Sequence, residues 1–208
     1  MCLTLNILVL HVIMIKNKYD YIILGGGCAG LSLAYHLNTY SKLNSKTLCI
    51  VEKRDTYKRD KTWSFWDLGY NPFEDCVTNS WKSFKVINKT ASTTVCSEKF
   101  PYVSIDSSLF YKKILNDLSS NKNISFKKSP SSVDLDHGIV FNSFPNTFSG
   151  NIYYQHFYGI EIETEKEFFN NNQLHLMDFS DIHEGVHFFY TLPFKKNKAL
   201  IETTWISK

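Results

Sequence analysis

The chain has no Cys-x-x-Cys pair, no histidine pair at metal-ligand spacing, and no nucleophile–His–acid arrangement that can be read from its order. His156, His183 and His187 stand apart from any ligand pattern. Those gaps remove a zinc site, a thiol-redox motif and a hydrolase triad from the readable signals. Five cysteines (Cys2, Cys28, Cys49, Cys76, Cys96) make an odd count, which fits a reducing, cytosolic compartment. There is no internal repeat and no low-complexity tract. The formal charge of +3 is too small to point to a nucleic-acid partner, and Lys127-Lys128 and Lys195-Lys196 read as solvated loop charge. No apolar run is long enough to span a bilayer: residues 1–15 are broken by Asn6 and His11. They also lack the basic start and small-residue cleavage site of a signal peptide. Residues 1–18 are read as an N-terminal extension, with a membrane-surface anchor as the alternative.

Aromatics, by contrast, are abundant: sixteen Phe, twelve Tyr and four Trp. They suit either a β-rich core or a long apolar pocket, and composition does not choose between them. The sharper signal is Tyr19-Asp20-Tyr21-Ile22-Ile23-Leu24-Gly25-Gly26-Gly27-Cys28-Ala29-Gly30. An apolar strand runs into G-x-G-x-x-G, a helical run follows, and a second apolar strand (Thr47 to Val51) ends in Glu52. In that context Gly25 permits the tight turn, Gly27 lets backbone approach a pyrophosphate, and Gly30 lets helix and strand pack closely. The pyrophosphate would sit at the helix N-terminus, and Glu52 would accept hydrogen bonds from the adenosine ribose. The residues predict a dinucleotide-binding Rossmann-type α/β domain.

The first helix is expected from Ala29 to about Leu37. Arg54 to Asn79 reads as a long irregular aromatic excursion, punctuated by Gly69 and Pro72. A second helix is capped by Asp106, with Phe110, Ile114, Leu115 and Leu118 on one face. Short strands are expected at Ile124 to Lys127 and Gly138 to Phe141. Beyond Gly150 the pattern changes to Tyr153 to Glu163, Leu174 to Phe179, Val186 to Pro193 and Ala199 to Ile206, four strands with no helix between them. That implies an antiparallel sheet flooring a substrate site. The expected layout is therefore 19–150 as the nucleotide-binding domain, with an aromatic loop at 54–81, and 151–208 as the substrate sheet.

Lys61-Thr62-Trp63-Ser64-Phe65-Trp66-Asp67 resembles the H-T-W-S-F-H-D stretch of lycopene cyclases, the carotenoid ring-forming flavoproteins. The strand from Gln155 through Gly159 to Glu163 is similar to their Q-x-x-x-G-x-x-x-E, and Met177-Asp178-Phe179-Ser180-Asp181 to their M-D-x-x-D. Phe189-Tyr190-Thr191-Leu192-Pro193-Phe194 and Ala199-Leu200-Ile201-Glu202-Thr203-Thr204 resemble the F-x-Y-x-x-P-F strand and the L-I-E-x-T motif. The departures are Lys61 and Trp66 where many relatives have His, and Asn142-Ser143-Phe144-Pro145 in place of a D-x-R turn. Family members continue into a second glycine-rich segment, so the chain is expected to be an N-terminal fragment.

The resemblance implies a fold like that of the flavin hydroxylases, an FAD cofactor used in reduced form with NAD(P)H or another donor as reductant, and lycopene as substrate drawn from a membrane surface. It implies proton-initiated closure of the ψ-ends to β-rings, with no net redox change. A carbocation needs a dry, aromatic cavity, and its acid must stay protonated, which burial favours. On that basis Glu202 is the candidate general acid/base, the alternative being a solvent-facing strand glutamate. Asp178 is its candidate proton partner or pocket organiser, or else a turn-forming aspartate. Trp63 and Phe65 are candidates to line the polyene channel, or else to pack the core. Gly25, Gly27, Gly30 and Glu52 would hold the FAD. Glu161 and Glu163 read as solvated. A redox enzyme of the hydroxylase group, which lacks the Glu202 motif, and an inactive fragment are the competing readings.

Overall fold

The computed structural model describes residues 16–40, 43–144, 148–180 and 185–208. The apolar stretch 1–15, together with Asp181 and His183, lies outside the described residues. In chain order the elements begin β1 (Tyr21–Leu24), α1 (Cys28–Thr39), β2 (Leu48–Val51), β3 (Thr62–Trp66), β4 (Val77–Trp81), β5 (Ser83–Asn88) and β6 (Ser92–Cys96). They continue with β7 (Tyr102–Asp106), α2 (Ser107–Ser119), β8 (Ile124–Lys127), β9 (Ile139–Asn142), β10 (Tyr154–Glu163), β11 (Gln173–Phe179), β12 (Val186–Lys195) and β13 (Lys198–Ser207).

The described residues form two units, 16–57 with 111–144 and 58–110 with 148–180 and 185–208. The sequence reading drew the division at residue 150. The chain instead leaves the first unit at Lys58 and returns at Tyr111. An excursion of that kind pairs over long sequence distances, which local periodicity does not register.

The first unit is a four-stranded parallel sheet in the order β8-β2-β1-β9. Its central strands β1 and β2 are continuous apolar runs, as parallel strands covered on both faces are, whereas the edge strands β8 and β9 are partly exposed. Ile22, Ile23, Leu48, Cys49 and Ile50 are fully buried. One core cluster joins Ile22, Cys49, Val51 and Val133. Burial pushes the Cys49 thiol up to about 11, so it is a small core residue rather than a reactive thiol.

The second unit contains a six-stranded sheet, β10-β13-β12-β11-β5-β6, and a three-stranded antiparallel sheet, β3-β7-β4. All four strands expected after Gly150 are present. The larger sheet is antiparallel except between β11 and β5, and it recruits β5 and β6 from the middle of the chain. The aromatic segment read as irregular contains β3, which pairs with β7 some forty residues later. Asp106 caps α2 as expected, its Oδ1 accepting the Ser108 N–H at 2.7 Å. Within this unit Phe110 meets the Trp63 and Phe73 rings edge-on at 5.1 and 4.8 Å.

Trp81 anchors the two sheets of the second unit to each other. It is buried with Leu174 and Leu192, and its indole N–H donates to the Pro193 carbonyl at 3.3 Å. Replacing Trp81 by Ala removes a large buried ring and leaves that carbonyl without its donor. The expected loss is about 3–5 kcal/mol, read as a lowered urea midpoint by far-UV circular dichroism.

Candidate functional site: a glycine turn and an acid-lined groove

Two arrangements carry chemistry, one in each unit. In the first, the turn between β1 and α1 needs its glycines. Gly25 has φ +106°, and a Cβ on Gly30 would lie 1.9 Å from the Gly25 carbonyl oxygen. A Cβ on Gly27 would meet nothing within 4 Å, so backbone lies open at the start of α1, where Gly27 is the cap and no side chain occupies the cap position. That open approach at a helix N-terminus fits the pyrophosphate of a dinucleotide.

Within the protein, Glu52 braces the turn. Its carboxylate accepts the Gly26 N–H at 2.9 Å and the Arg54 N–H at 2.9 Å, with the Arg54 guanidinium 3.2 Å away. Burial alone would raise its pKa; hydrogen bonds from Arg54 and Gly26 outweigh that and hold it below the usual carboxylate range. Arg54 also donates to the Gly26 carbonyl at 2.8 Å and lies over the Tyr57 and Tyr111 rings at 4.5 and 5.3 Å. The buried Tyr57 hydroxyl abuts Gly26, 2.4 Å from where a Cβ would be. Burial and the Glu52 charge push that phenol up to about 12. Sequence reasoning missed Arg54 and Tyr57; the only signal was their position just after the acid.

In the second unit, two adjoining cavities of about 330 and 260 Å³ share Thr62, Leu200 and Glu202 as lining. Their floor is one face of the large sheet. Cross-strand partners Leu192 and Leu200, Tyr190 and Glu202, and Phe188 and Thr204 stand side by side on it. On the other side of β13, Gly159 is the partner of Glu202. A Cβ there would sit 3.6 Å from Glu202 Oε2, so the missing side chain leaves room above the carboxylate. Glu202 is half-buried and accepts the Thr204 hydroxyl at 3.2 Å.

The other predicted site residues are not in this groove. Strand alternation decides Trp63 and Phe65: β3 sends Thr62 and Ser64 to the cavities, while Trp63 packs on Phe110. Asp178 pairs with Phe189 across β11 and β12, on the face opposite Tyr190, and accepts the Ser180 N–H at 2.9 Å in a turn. A bulge between His175 and Met177 sets that phase. His187 is buried, hydrogen-bonded to Thr203 at 2.7 Å and stacked on Trp205 at 3.9 Å.

One end of the groove is charged. Arg59 Nε lies 2.7 Å from Asp106, the same guanidinium pairs with Glu161, and Lys198 approaches Glu161 at 3.4 Å. Glu161 is therefore ion-paired rather than simply solvated, and Arg59 is a groove residue that the sequence reading did not single out.

A family model described as lycopene cyclase protein matches residues 20–208. The chain belongs to the lycopene cyclase family. Capsanthin/capsorubin synthase of Citrus sinensis is 25% identical to it over 91% of this chain and 44% of the relative. The chain thus spans less than half the length of that curated relative. Among solved structures, flavin-dependent brominase Bmp2 superposes with a TM-score of 0.61 at 11% identity, covering 91% of this chain and 56% of that one. The p-nitrophenol 4-monooxygenase of Pseudomonas putida gives 0.56 at 10% identity, covering 93% and 59%. The fold of this lycopene cyclase family member is that of the flavin hydroxylases. Among its described residues no helix is long and apolar enough to cross a membrane.

The hydrogen bond from Arg59 holds the Glu161 carboxyl below its ordinary range. A depressed carboxylate stabilises the fold above its unfolded pKa, and the stability is lost as pH falls through the folded value. Arg59→Gln should therefore lower stability at neutral pH and move the acid-unfolding midpoint upward, measured by tryptophan fluorescence from pH 7 to pH 2.

Proposed function

We propose that the whole protein is a lycopene β-cyclase: a non-redox flavoprotein that closes the ψ-ends of lycopene, or a related carotenoid, to β-rings at a membrane surface. The observation that carries this reading is Glu202. It stands half-buried on the groove floor, between Leu200 and Thr204, beneath the space left by Gly159. The match of the family model to residues 20–208 supports the substrate class.

Glu202 in its acid form delivers a proton to the terminal double bond of the end group. The tertiary cation so formed is attacked by the neighbouring alkene, which makes the ring bond, and the Glu202 carboxylate then takes back a ring proton. The product is an isomer of the substrate. One carboxyl serves both steps because donating the proton leaves it as the base the second step needs. Leu192, Leu200 and Phe188 present an apolar floor to the cation, a surface that offers it no nucleophile. The charged end, with Arg59 and Glu161, adjoins that floor, since Glu161 is the cross-strand partner of Leu200.

Gly25, Gly27 and Gly30, with Glu52 and Arg54 bracing the turn, would hold FAD by its pyrophosphate at the start of α1. When bound and reduced, by NAD(P)H or another donor, the flavin would supply electron density that stabilises the cation without being consumed. Gly30→Val should abolish flavin binding, because its Cβ falls on the Gly25 carbonyl.

The test is expression of the full-length protein in lycopene-accumulating bacteria, with the pigments separated afterwards. The expected product is β-carotene or its one-ended form. Glu202→Gln should lower cyclisation at least 10²-fold while leaving bound flavin unchanged by absorbance. Lycopene left intact beside well-folded, flavin-loaded protein would overturn the reading, and oxygenated products from wild type would move it to the redox enzymes of the same fold.

A further inference from the structure

Tyr190 occupies a position that the acid alone does not explain. It is the direct cross-strand partner of Glu202, so the two side chains leave the sheet on the same face at neighbouring points. Both line the same cavity of about 260 Å³, and Tyr102 reaches that cavity from the small sheet. The Tyr190 hydroxyl donates to the Tyr102 oxygen at 3.0 Å, and the two rings meet edge-on, 83° apart. Behind them Trp66 packs edge-on against Tyr102 at 4.7 Å. The phenol is thus tied at its tip, while its ring stands beside the carboxyl. Burial raises the pKa of both phenols, so both remain neutral.

A neutral aromatic ring fixed beside a proton donor has a specific use in this reaction. The end group becomes positive at the carbon next to the one that takes the proton, still close to Glu202, and the negative face of a ring at that point attracts it. A free phenol hydroxyl there would be a liability, since it would hold a water beside the tertiary cation, and water captures such a cation. Donation to Tyr102 fixes the ring and takes up the hydrogen that would otherwise hold such a water. We propose that the Tyr190 ring is a catalytic wall that stabilises the cation formed beside Glu202, and that Tyr102 is the positioning residue holding that ring and its oxygen in place. This rests on the cyclase reading and names a residue role within it.

The experiment uses the full-length, flavin-loaded protein with lycopene in phosphatidylcholine vesicles, reading kcat, KM and product identity. Tyr190→Leu should lower kcat about 10- to 30-fold with KM changed less than about threefold. Tyr190→Phe, which keeps the ring and removes the oxygen, should retain kcat within about threefold. Tyr102→Phe should keep ring closure but divert part of the cation to a tertiary alcohol, in which water adds its oxygen to the cationic carbon and releases a proton. Mono-, di- and trifluorinated phenylalanine at position 190 keep the ring shape while weakening its negative face, so kcat should fall stepwise with fluorine count. A flat fluorine series, or Tyr190→Phe as impaired as Tyr190→Leu, overturns the ring's role even if Tyr190→Leu misfolds. Wild-type-like Tyr102→Phe overturns the positioning role. A wild-type protein that forms no ring instead removes the cyclase reading itself, so the two failures are distinct.

Discussion

The groove depends on one rung of hydrogen-bonded strands. Gly159 on β10, Glu202 on β13 and Tyr190 on β12 are cross-strand partners in a single row. Side chains alternate faces along a strand, so a slip of one residue would send Glu202 to the opposite face. The register is pinned on both sides by ten unbroken partners between β10 and β13, and by paired apolar residues such as Leu192 and Leu200 between β12 and β13. The same rung gives each residue its chemistry. Gly159 contributes by having no side chain, Glu202 by an acid that the space admits, and Tyr190 by a ring whose hydroxyl donates to Tyr102. Nothing in this row requires a mobile element. The row itself follows from sheet pairing, which places residues of three segments on rigid elements.

That constraint also explains which candidates fall outside the groove. Asp178 and Glu202 are close in sequence motif order, yet β11 meets β12 through a bulge that shifts its phase, and Asp178 lands on the face of Phe189. There its carboxylate is occupied with Ser180. Trp63 and Phe65 are large aromatics in a family-like stretch, but the period-2 pleat of β3 turns Thr62 and Ser64 to the groove instead. Residue type suggested the aromatics, whereas geometry selected their small polar neighbours.

Much of the architecture was legible because it is local. The apolar strand, glycine turn, helix and second strand of the first unit follow one another within about thirty residues, and so do the Asp106 cap and its helix. The four final strands announced themselves by alternation and turn residues. What escaped was non-local. The pairing of β3 with β7 and the parallel insertion of β5 beside β11 join segments forty to ninety residues apart, with no periodic signature in either alone. The roles of Tyr102 and Arg59 escaped for the same reason. Neither residue type is unusual where it stands, and each gains its meaning only from a partner on another strand.

The glycine turn shows a second consequence of placing charge by backbone. Glu52 is held at the end of β2 by two main-chain N–H groups, from Gly26 and Arg54, and Arg54 returns a hydrogen bond to the Gly26 carbonyl. The carboxylate and the guanidinium thus brace the N–H and the C=O of one residue, Gly26, in the loop that must stay open at Gly27. A carboxylate bonded only by long side chains would lose much of its orientation to rotamer freedom, whereas backbone donors fix it with no further entropy cost beyond that of the turn. The Arg54 guanidinium, stacked on Tyr57 and Tyr111, keeps its own position by the same economy of motion. A pyrophosphate approaching α1 would therefore meet a turn whose shape is set before it arrives. In both units, then, the residue that would do the chemistry sits beside a glycine, and a neighbouring aromatic or cation fixes the surroundings that the glycine leaves free.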